Sequence, residues 1–160
     1  MFNNVQNLLK ANSVERKHAT NAKTVSLLAG LLYDDKGNKM SPSYSNGNNR
    51  HYRYYVSMSI KNPVDYERGE ITKISAGEIE TFVQNDFVKL LKNTRKMQEY
   101  LASYSVEQQK LMLDLMKIYE VDKIFLRTAI KRVDLKTNCI SISYDINYII
   151  KSAMKGIVLL

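Results

Sequence analysis

The segment His51–Lys61 reads HYRYYVSMSIK, and its residue types alternate along the chain. Because successive side chains of an extended strand point to opposite faces, a period of two separates them into two sets. The set that contains Tyr52 and Tyr54 is mostly apolar, and we expect it to face a core. The set that contains Arg53 and Tyr55 interleaves cations with an aromatic ring, and we expect it to face solvent. A surface of that kind suits a polyanion such as nucleic acid.

Net charge is distributed unevenly along the 160 residues, which carry +8 in total. Residues 1–61 hold nine Lys and Arg against three Asp and Glu, a net +6, whereas residues 62–160 hold fifteen against thirteen, a net +2. Basic patches attract polyanions and gain affinity by releasing counterions. A solvated basic surface without a specific partner is the alternative, and charge by itself does not separate the two.

The bulk composition is that of a folded protein with a sizeable core. Hydrophobic residues make up 44% of the chain and charged residues 25%, which is ordinary for one domain or two small lobes. No apolar run approaches the roughly 20 residues that a membrane span requires. The single cysteine, Cys139, excludes an internal disulfide framework and favours a reducing cytoplasm.

The first third of the chain predicts a short helix, a linker and three strands. Phe2–Ala11 has the spacing of an amphipathic helix, and Asn12–Thr24 is a polar, basic linker. Two strands, Leu27–Tyr33 and Lys39–Ser43, are joined by a turn at Gly37-Asn38, and the third strand is His51–Ile60.

A proline and a polar segment indicate where the second predicted strand ends. Pro42 ends the second strand or places it at a sheet edge. The polar segment Ser43–Asn49 is predicted as a loop.

Two capping boxes predict the starts of two helices. Ser75 with Glu78 opens a helix with a long apolar stripe, and Ser105 with Gln108 opens a second, methionine-rich helix that runs to Tyr119. We expect the two helices to pack antiparallel and to build most of the core, with the methionines serving as packing residues.

The C-terminal part contains one ambiguous segment and two clearer elements. Val121–Val133 fits a helix or a strand, whereas Asn138–Tyr144 alternates as a strand. Asp145 can cap a closing helix, Ile146–Met154. The predicted fold class is α+β: a small antiparallel β-ribbon or sheet packed with a helical hairpin, followed by a C-terminal strand and helix.

The sequence lacks the common catalytic motifs, including phosphate-binding loops, zinc-protease helices and nucleophile elbows. Cys139, His18 and His51 are too far apart for a zinc-ligand pattern. Asp34 and Asp35 are expected in a solvated turn, and Cys139 is expected to be a small buried or half-buried side chain. We therefore predict no catalytic residue, no metal ligand and no cofactor in this chain.

Four segments occur in a fixed order: VQNLLKAN, SLLAGLLYDDKGNKM, RHYRYYVS and SAGEIETFV. Together they resemble the C-terminal region of large serine site-specific recombinases of the resolvase/invertase family, over most of residues 1–145. The resemblance implies that residues 1–24 are the end of a recombinase domain, as a helix plus a basic linker. Residues 25–160 would form a zinc-ribbon-like domain for DNA binding and assembly, with the ribbon at 25–62, helices at 75–120 and a C-terminal part at 121–160.

Many relatives carry C-x-x-C knuckles where this chain has Asp34–Gly37 and Ser57–Ile60. The zinc ligands are absent, so we predict a ribbon held by its own hairpins and by packing on the helices. Some relatives also carry long coiled-coil insertions, and the span from Ser75 to Tyr119 leaves room only for a short helical hairpin.

The leading hypothesis is the DNA-binding and assembly part of a serine recombinase, with the catalytic serine in an N-terminal domain outside this chain. The implied partners are double-stranded DNA and, through the full-length recombinase, further copies of the protein, in the bacterial cytoplasm and nucleoid and not at a membrane. The predicted DNA-binding residues are Arg16, Lys17, Lys23, Lys36, Lys39, Arg50, Arg53 and Tyr55.

Two other functions follow from the same residues. A protein–protein oligomerisation module with marginal DNA affinity would be favoured by an exposed apolar patch on the Phe82/Phe87 helix. An independent enzyme would require a pocket of converging titratable groups.

Overall fold

The computed structural model describes residues 26–47, 50–118 and 121–158. The side chains of residues 46, 47, 50, 51, 117, 118 and 156–158 are outside this description. The predicted helix at Phe2–Ala11 and the predicted linker at Asn12–Thr24 fall outside the described residues and stay predictions.

The described residues form an α+β fold, as predicted, and their strands make two three-stranded sheets. In chain order the strands are β1 (Leu32–Tyr33), β2 (Met40–Gly47), β3 (Arg50–Ser57), β4 (Lys73–Ser75), β5 (Ile130–Lys136) and β6 (Cys139–Tyr144). The hairpin sheet has the order β2-β3-β4 and is antiparallel throughout. The C-terminal sheet has the order β1-β5-β6, with β1 parallel and β6 antiparallel to β5.

The helices lie between β3 and β4, between β4 and β5, and after β6. They are α1 (Met58–Lys61), α2 (Ala76–Lys92), α3 (Thr94–Tyr100), α4 (Val106–Ile118), α5 (Lys123–Ala129) and α6 (Ile146–Val158). Across the described ranges, none of them combines the length and apolar character needed to cross a bilayer.

The first predicted strand is largely wrong. Within Leu27–Tyr33 only the last two residues form a strand, and they pair in parallel with β5 rather than with Lys39–Ser43. An isolated antiparallel bridge between Tyr33 and Lys39 is what remains of the expected hairpin. Gly37 adopts a φ of 79°, as the predicted turn requires. The residues before β1 form turns because buried side chains bind their backbone groups, as described below.

The β2–β3 hairpin is longer than the sequence predicts. Pairing runs from Met40 opposite Ser57 to Gly47 opposite Arg50, through most of the segment predicted as a loop. Pro42 lies inside β2, which is an edge strand, as its missing N–H requires. β4 pairs only with Tyr54–Val56, so the hairpin beyond that point is a two-stranded ribbon.

The alternation in β3 is present, but the predicted burial of its two faces is wrong. Tyr55 is 0% exposed and Ser57 is buried, whereas Tyr52 is 44% exposed. The period of two separates the faces without specifying which one meets the core. The face that contains Tyr55 is the one that packs, because β3 and β4 contact α2 on that side and Glu80 of α2 satisfies the tyrosine hydroxyl.

The predicted helix starts are mostly confirmed. α2 begins directly after Ser75, although the serine side chain makes no capping bond. The second capping box forms, since the Gln108 N–H donates to Ser105 Oγ (3.3 Å) and the Ser105 N–H donates to Gln108 Oε1 (3.1 Å). Asp145 caps the closing helix by accepting from the Tyr148 N–H at 3.0 Å.

The ambiguous segment Val121–Val133 is both helix and strand. α5 begins after Asp122, whose Oδ1 accepts from the Phe125 N–H at 2.7 Å, and β5 follows at once. Cys139 is exposed at the start of β6, which corrects its predicted burial; it belongs to the solvent-facing set of an alternating strand.

One apolar core joins both sheets to the helices. The α2 and α4 helices contact each other, and α4 also contacts α6. The methionines of α4 that the sequence assigned to packing are buried. The largest fully buried side chains include Leu28, Leu32, Tyr55, Phe87, Met97, Met112, Leu126 and Ile149.

Candidate nucleic-acid interface

Four of the predicted DNA-binding residues have side chains outside the described part of the structure. Arg16, Lys17 and Lys23 lie in the first 25 residues, and Arg50 is described only by its backbone, which pairs with Gly47 in the ribbon. Their roles stay predictions.

Lys36 and Lys39 are exposed around the turn that follows β1. Lys36 Nζ lies 2.6 Å from Glu67 Oε1, and this carboxylate raises the pKa of the lysine. Lys36 is therefore already paired with a carboxylate of the same chain. Lys39 projects from the start of the hairpin.

Arg53 and Tyr55 do not form the predicted solvent-facing surface. The Arg53 guanidinium lies 3.2 Å from Glu80 Oε2, and both side chains are largely covered. The Tyr55 hydroxyl donates to Glu80 Oε1 at 2.7 Å and accepts from the Leu28 N–H at 2.9 Å. Burial and the adjacent carboxylate raise the pKa of Tyr55 far above its ordinary value, so the hydroxyl keeps its proton. Tyr55 has no surface for a DNA contact, and its assignment as a DNA-binding residue is corrected here.

Glu80 is a central residue that the sequence did not identify. Besides Tyr55 and Arg53, it accepts from the Leu27 N–H at 3.0 Å. Arg127 completes this arrangement by donating to the carbonyl oxygens of Leu27 (2.6 Å) and Ala29 (2.8 Å). Its position beside Ile79 on a long amphipathic helix gave no signal of this role. The network clamps the turn at residues 27–31, which precedes β1.

The opposite side of the hairpin sheet, here called the open face, carries tyrosines, serines and lysines. Tyr52 and Tyr54 stack with ring centroids 6.5 Å apart. Lys73 Nζ lies 3.7 Å from the centroid of the Tyr54 ring. At the border of the face, Lys61 Nζ of α1 donates to Ser41 Oγ at 2.6 Å. By register, the described side chains of the open face are Ser41, Ser43, Ser45, Tyr52, Tyr54, Val56, Lys73 and Ser75.

A buried polar cluster lies where the segments Asp34–Gly37 and Ser57–Ile60 meet. Asp34 is 2% exposed, which corrects its predicted solvated state. Its Oδ2 accepts from Ser57 Oγ at 2.6 Å and from Asn38 Nδ2 at 3.0 Å. Its Oδ1 accepts from the N–H groups of Lys36 (3.0 Å) and Asn38 (2.8 Å). The hydroxyls of Ser57 and Ser59 are 2.8 Å apart.

This cluster does not fit a zinc ion. Zinc sites in proteins use mainly cysteine and histidine, and the cluster offers one carboxylate with hydroxyl and amide groups. Those groups are already hydrogen-bonded to one another. Within residues 26–47, 50–118 and 121–158, no three His, Cys, Asp or Glu residues are grouped so that they could hold a metal. Hydrogen bonds therefore join the two positions directly.

Comparison with known proteins gives no family by sequence: no protein-family model matches the chain, and no curated protein matches it. Solved structures that align with the chain include the following two. One is described as "Crystal Structure of a LSR-DNA Complex" and aligns with a TM-score of 0.46 at 17% identity, over 91% of this chain and 59% of that one. The other is described as "Sequence Requirements of the Listeria innocua prophage attP site" and aligns with a TM-score of 0.45 at 16% identity, over 90% of this chain and 52% of that one. The chain thus spans less than two thirds of the length of either structure.

Proposed function

We propose that this chain is the DNA-binding and assembly part of a serine site-specific recombinase, with the catalytic serine in a separate N-terminal domain. The observation that carries the DNA-binding role is the two-stranded ribbon formed by the distal half of β2 and β3. The recombinase assignment rests on the order of the sequence motifs given above. The expected setting is the cytoplasm, where the DNA substrate lies.

The ribbon is of a kind that can enter a DNA groove. Its pairing continues from Tyr44 opposite Arg53 to Gly47 opposite Arg50, and among the described residues no third strand lies alongside. The major groove of B-DNA is about 12 Å wide and admits a two-stranded ribbon. Because the base of the hairpin is fixed to β4 and α2, the ribbon extends from a rigid support.

The described part of the chain begins beside this ribbon, at Ser26. Ser26 Oγ lies 3.3 Å from the Tyr44 hydroxyl in β2, and the next residues are held by Glu80 and Arg127. The preceding segment contains three of the cations predicted to bind DNA. We propose that these linker cations, together with Lys39 and Arg50, contact the phosphates around the groove that the ribbon occupies.

Fluorescence anisotropy of a labelled duplex of mixed sequence, titrated with the full chain over a salt series, tests DNA binding. We expect affinity at low salt that falls steeply as salt rises. Arg50→Ala should weaken binding, whereas Arg95→Ala, an identical change on the exposed α3 helix, should not. Absence of affinity at low salt would overturn the DNA-binding role.

The recombinase assignment has its own test, which does not depend on affinity. We expect the coding sequence upstream of these residues to encode a serine-bearing resolvase domain in the same reading frame. An upstream sequence without such a domain contradicts the assignment, even if the chain binds DNA.

An oligomerisation module is the second candidate, and one observation favours it. Phe82 of α2 is 46% exposed, whereas Phe87 on the same helix is buried. One exposed aromatic ring on α2 is a smaller apolar surface than the patch that would favour this function. Sedimentation velocity over a range of concentrations tests it: association that Phe82→Ser abolishes would favour this function.

A further inference from the structure

We propose that the open face of the hairpin sheet binds the phosphate backbone of duplex DNA, through the ammonium groups of Lys61 and Lys73 and the hydroxyls of Ser41, Ser43 and Ser45. This inference rests on the proposed DNA-binding function and names a contact surface opposite to the one that the sequence predicted.

The open face has no carboxylate among its register positions. Its rows across the sheet are Ser45 beside Tyr52, then Ser43, Tyr54 and Ser75, then Ser41, Val56 and Lys73. Serine and tyrosine hydroxyls and lysine ammonium groups all donate hydrogen bonds to phosphate oxygens. A face that offers donors and cations without any Asp or Glu favours a polyanion and carries no charge that would repel one.

The two lysines of this face contact neutral groups in the structure. Lys73 lies over the Tyr54 ring and Lys61 donates to a serine hydroxyl, so both contact neutral groups. A cation over an aromatic ring is attracted to it and keeps its full charge. Some of the other described cations lie within ion-pair distance of carboxylates instead: Lys36 with Glu67, Arg53 with Glu80, Lys131 with Asp145, and Arg132 with Asp134.

The contacts of the Tyr54 ring favour a duplex over a single strand. Single-stranded nucleic acid binds largely by stacking its bases on free aromatic faces. Tyr54 has Tyr52 stacked beside it and Lys73 over its ring, so its faces are already in use. Base stacking would have to displace these contacts, whereas the phosphate backbone of a duplex would meet the ammonium and hydroxyl groups as they stand.

The open face is continuous with the two-stranded ribbon, since both belong to the same hairpin. When the distal ribbon occupies a groove, the base of the hairpin lies towards the phosphates that border it. Lys61 and Lys73 are at that base, where β2, β3 and β4 come together. The ribbon and the open face would therefore contact a single stretch of DNA.

The experiment compares two double variants of equal charge in the anisotropy assay. Lys61→Gln with Lys73→Gln removes the cations of the open face, and Lys89→Gln with Lys110→Gln removes two exposed lysines on α2 and α4. Log affinity falls linearly with log salt, and each lost phosphate contact should make this slope less steep by about 0.9. We expect the first variant to show this loss for both lysines and the second to keep the wild-type slope.

Lysine acetylation with and without DNA gives a readout that does not depend on the stability of any variant. In the wild-type chain, duplex DNA should protect Lys61 and Lys73 from acetylation and leave Lys89 and Lys110 reactive. Equal slopes for the two double variants, together with equal protection of all four lysines, would overturn the open face as the contact surface. A single-stranded oligonucleotide that binds more tightly than the duplex would overturn the duplex as its ligand.

A wild-type salt slope in both double variants would contradict this inference and leave the proposed function standing. A wild-type chain without any affinity for DNA would contradict the proposed function itself. The two failures are thus separated by the wild-type titration.

Discussion

The hydroxyl of Ser57 donates a 2.6 Å hydrogen bond to Oδ2 of Asp34, and both side chains are buried. Asp34 follows the last residue of β1 in the C-terminal sheet, and Ser57 is the last residue of β3 in the hairpin sheet. This bond therefore joins the two sheets. It lies at the first positions of the two tetrapeptides Asp34–Gly37 and Ser57–Ile60, so a hydrogen bond connects these segments directly.

Replacing Ser57 with alanine should destabilise the fold. The change leaves a buried carboxylate oxygen of Asp34 without one of its donors, which costs about 1–3 kcal/mol in the free energy of unfolding. Urea denaturation measures it. Ser45→Ala on the exposed ribbon is the matched control and should change the free energy of unfolding by less than about 0.5 kcal/mol. Equal effects of the two changes would contradict a stabilising role for the bond.

Replacing Tyr55 with phenylalanine should loosen the clamped turn. The Leu28 N–H loses its acceptor and Glu80 loses one donor, both in a buried setting, at a cost of about 1–3 kcal/mol. Amide hydrogen exchange should become faster at Leu28, which a uniform loss of stability would not restrict to this turn. Tyr52→Phe, the same change at an exposed ring of the same strand, is expected to leave the exchange at Leu28 unaltered.

Two glycine-to-alanine changes should have opposite signs. A Cβ atom at Gly69 would collide with the Asp35 carboxylate, so Gly69→Ala should destabilise by about 1–3 kcal/mol. A Cβ atom at Gly77, inside α2, meets nothing within 4 Å. Because alanine is the better helix residue, Gly77→Ala should stabilise by about 0.5–1 kcal/mol. Thermal melting compares them, and a stable Gly69→Ala protein would show that the carboxylate can move aside.

The attachment of the loop at residues 62–72 should weaken in acid. Asp35 accepts from the N–H groups of Glu70 and Ile71, both at 3.0 Å, and these bonds lower the pKa of Asp35 below its ordinary value of 3.8. Since the folded-state pKa is depressed, the stability that Asp35 contributes is present above about pH 4 and is lost as the pH falls through the folded-state pKa.

The difference in melting temperature between wild type and Asp35→Asn measures this contribution. It should be largest near neutral pH and should shrink as the pH falls below about 4, because the protonated aspartate then resembles the amide. A difference that stays constant over the whole pH range would rule out ionisation of Asp35 as its cause.

Local signals were sufficient where they specify backbone geometry. The capping box at Ser105 and Gln108 and the cap at Asp145 predicted helix starts that the structure contains, because a side chain three residues away satisfies the free N–H groups. The turn at Gly37 was predictable for a similar reason, since its positive φ favours glycine. The mixed character of Val121–Val133 was visible as an ambiguity, and the boundary within it depends on which sheet its second half joins.

The sequence predicted the two faces of β3 with the wrong orientation. The alternation of β3 and the basic excess of residues 1–61 pointed to the hairpin, but Arg53 and Tyr55 were assigned to the solvent. No local pattern shows that Glu80, on a distant helix, binds both of them. A tyrosine can lie on the buried or the exposed face of a strand. The hydrogen-bond partner of its hydroxyl decides whether it can be buried.

By itself, the sequence determined the α+β class, the strand period, most helix starts and the concentration of charge in the first 61 residues, since each of these depends on residues close together in the chain. The tertiary structure decided that β1 pairs with β5, that Asp34 and Ser57 join the two sheets, and that Tyr52, Tyr54 and Lys73 lie on the exposed face. Those outcomes depend on contacts between residues far apart in sequence, where burial of one polar group requires a partner that only the fold supplies.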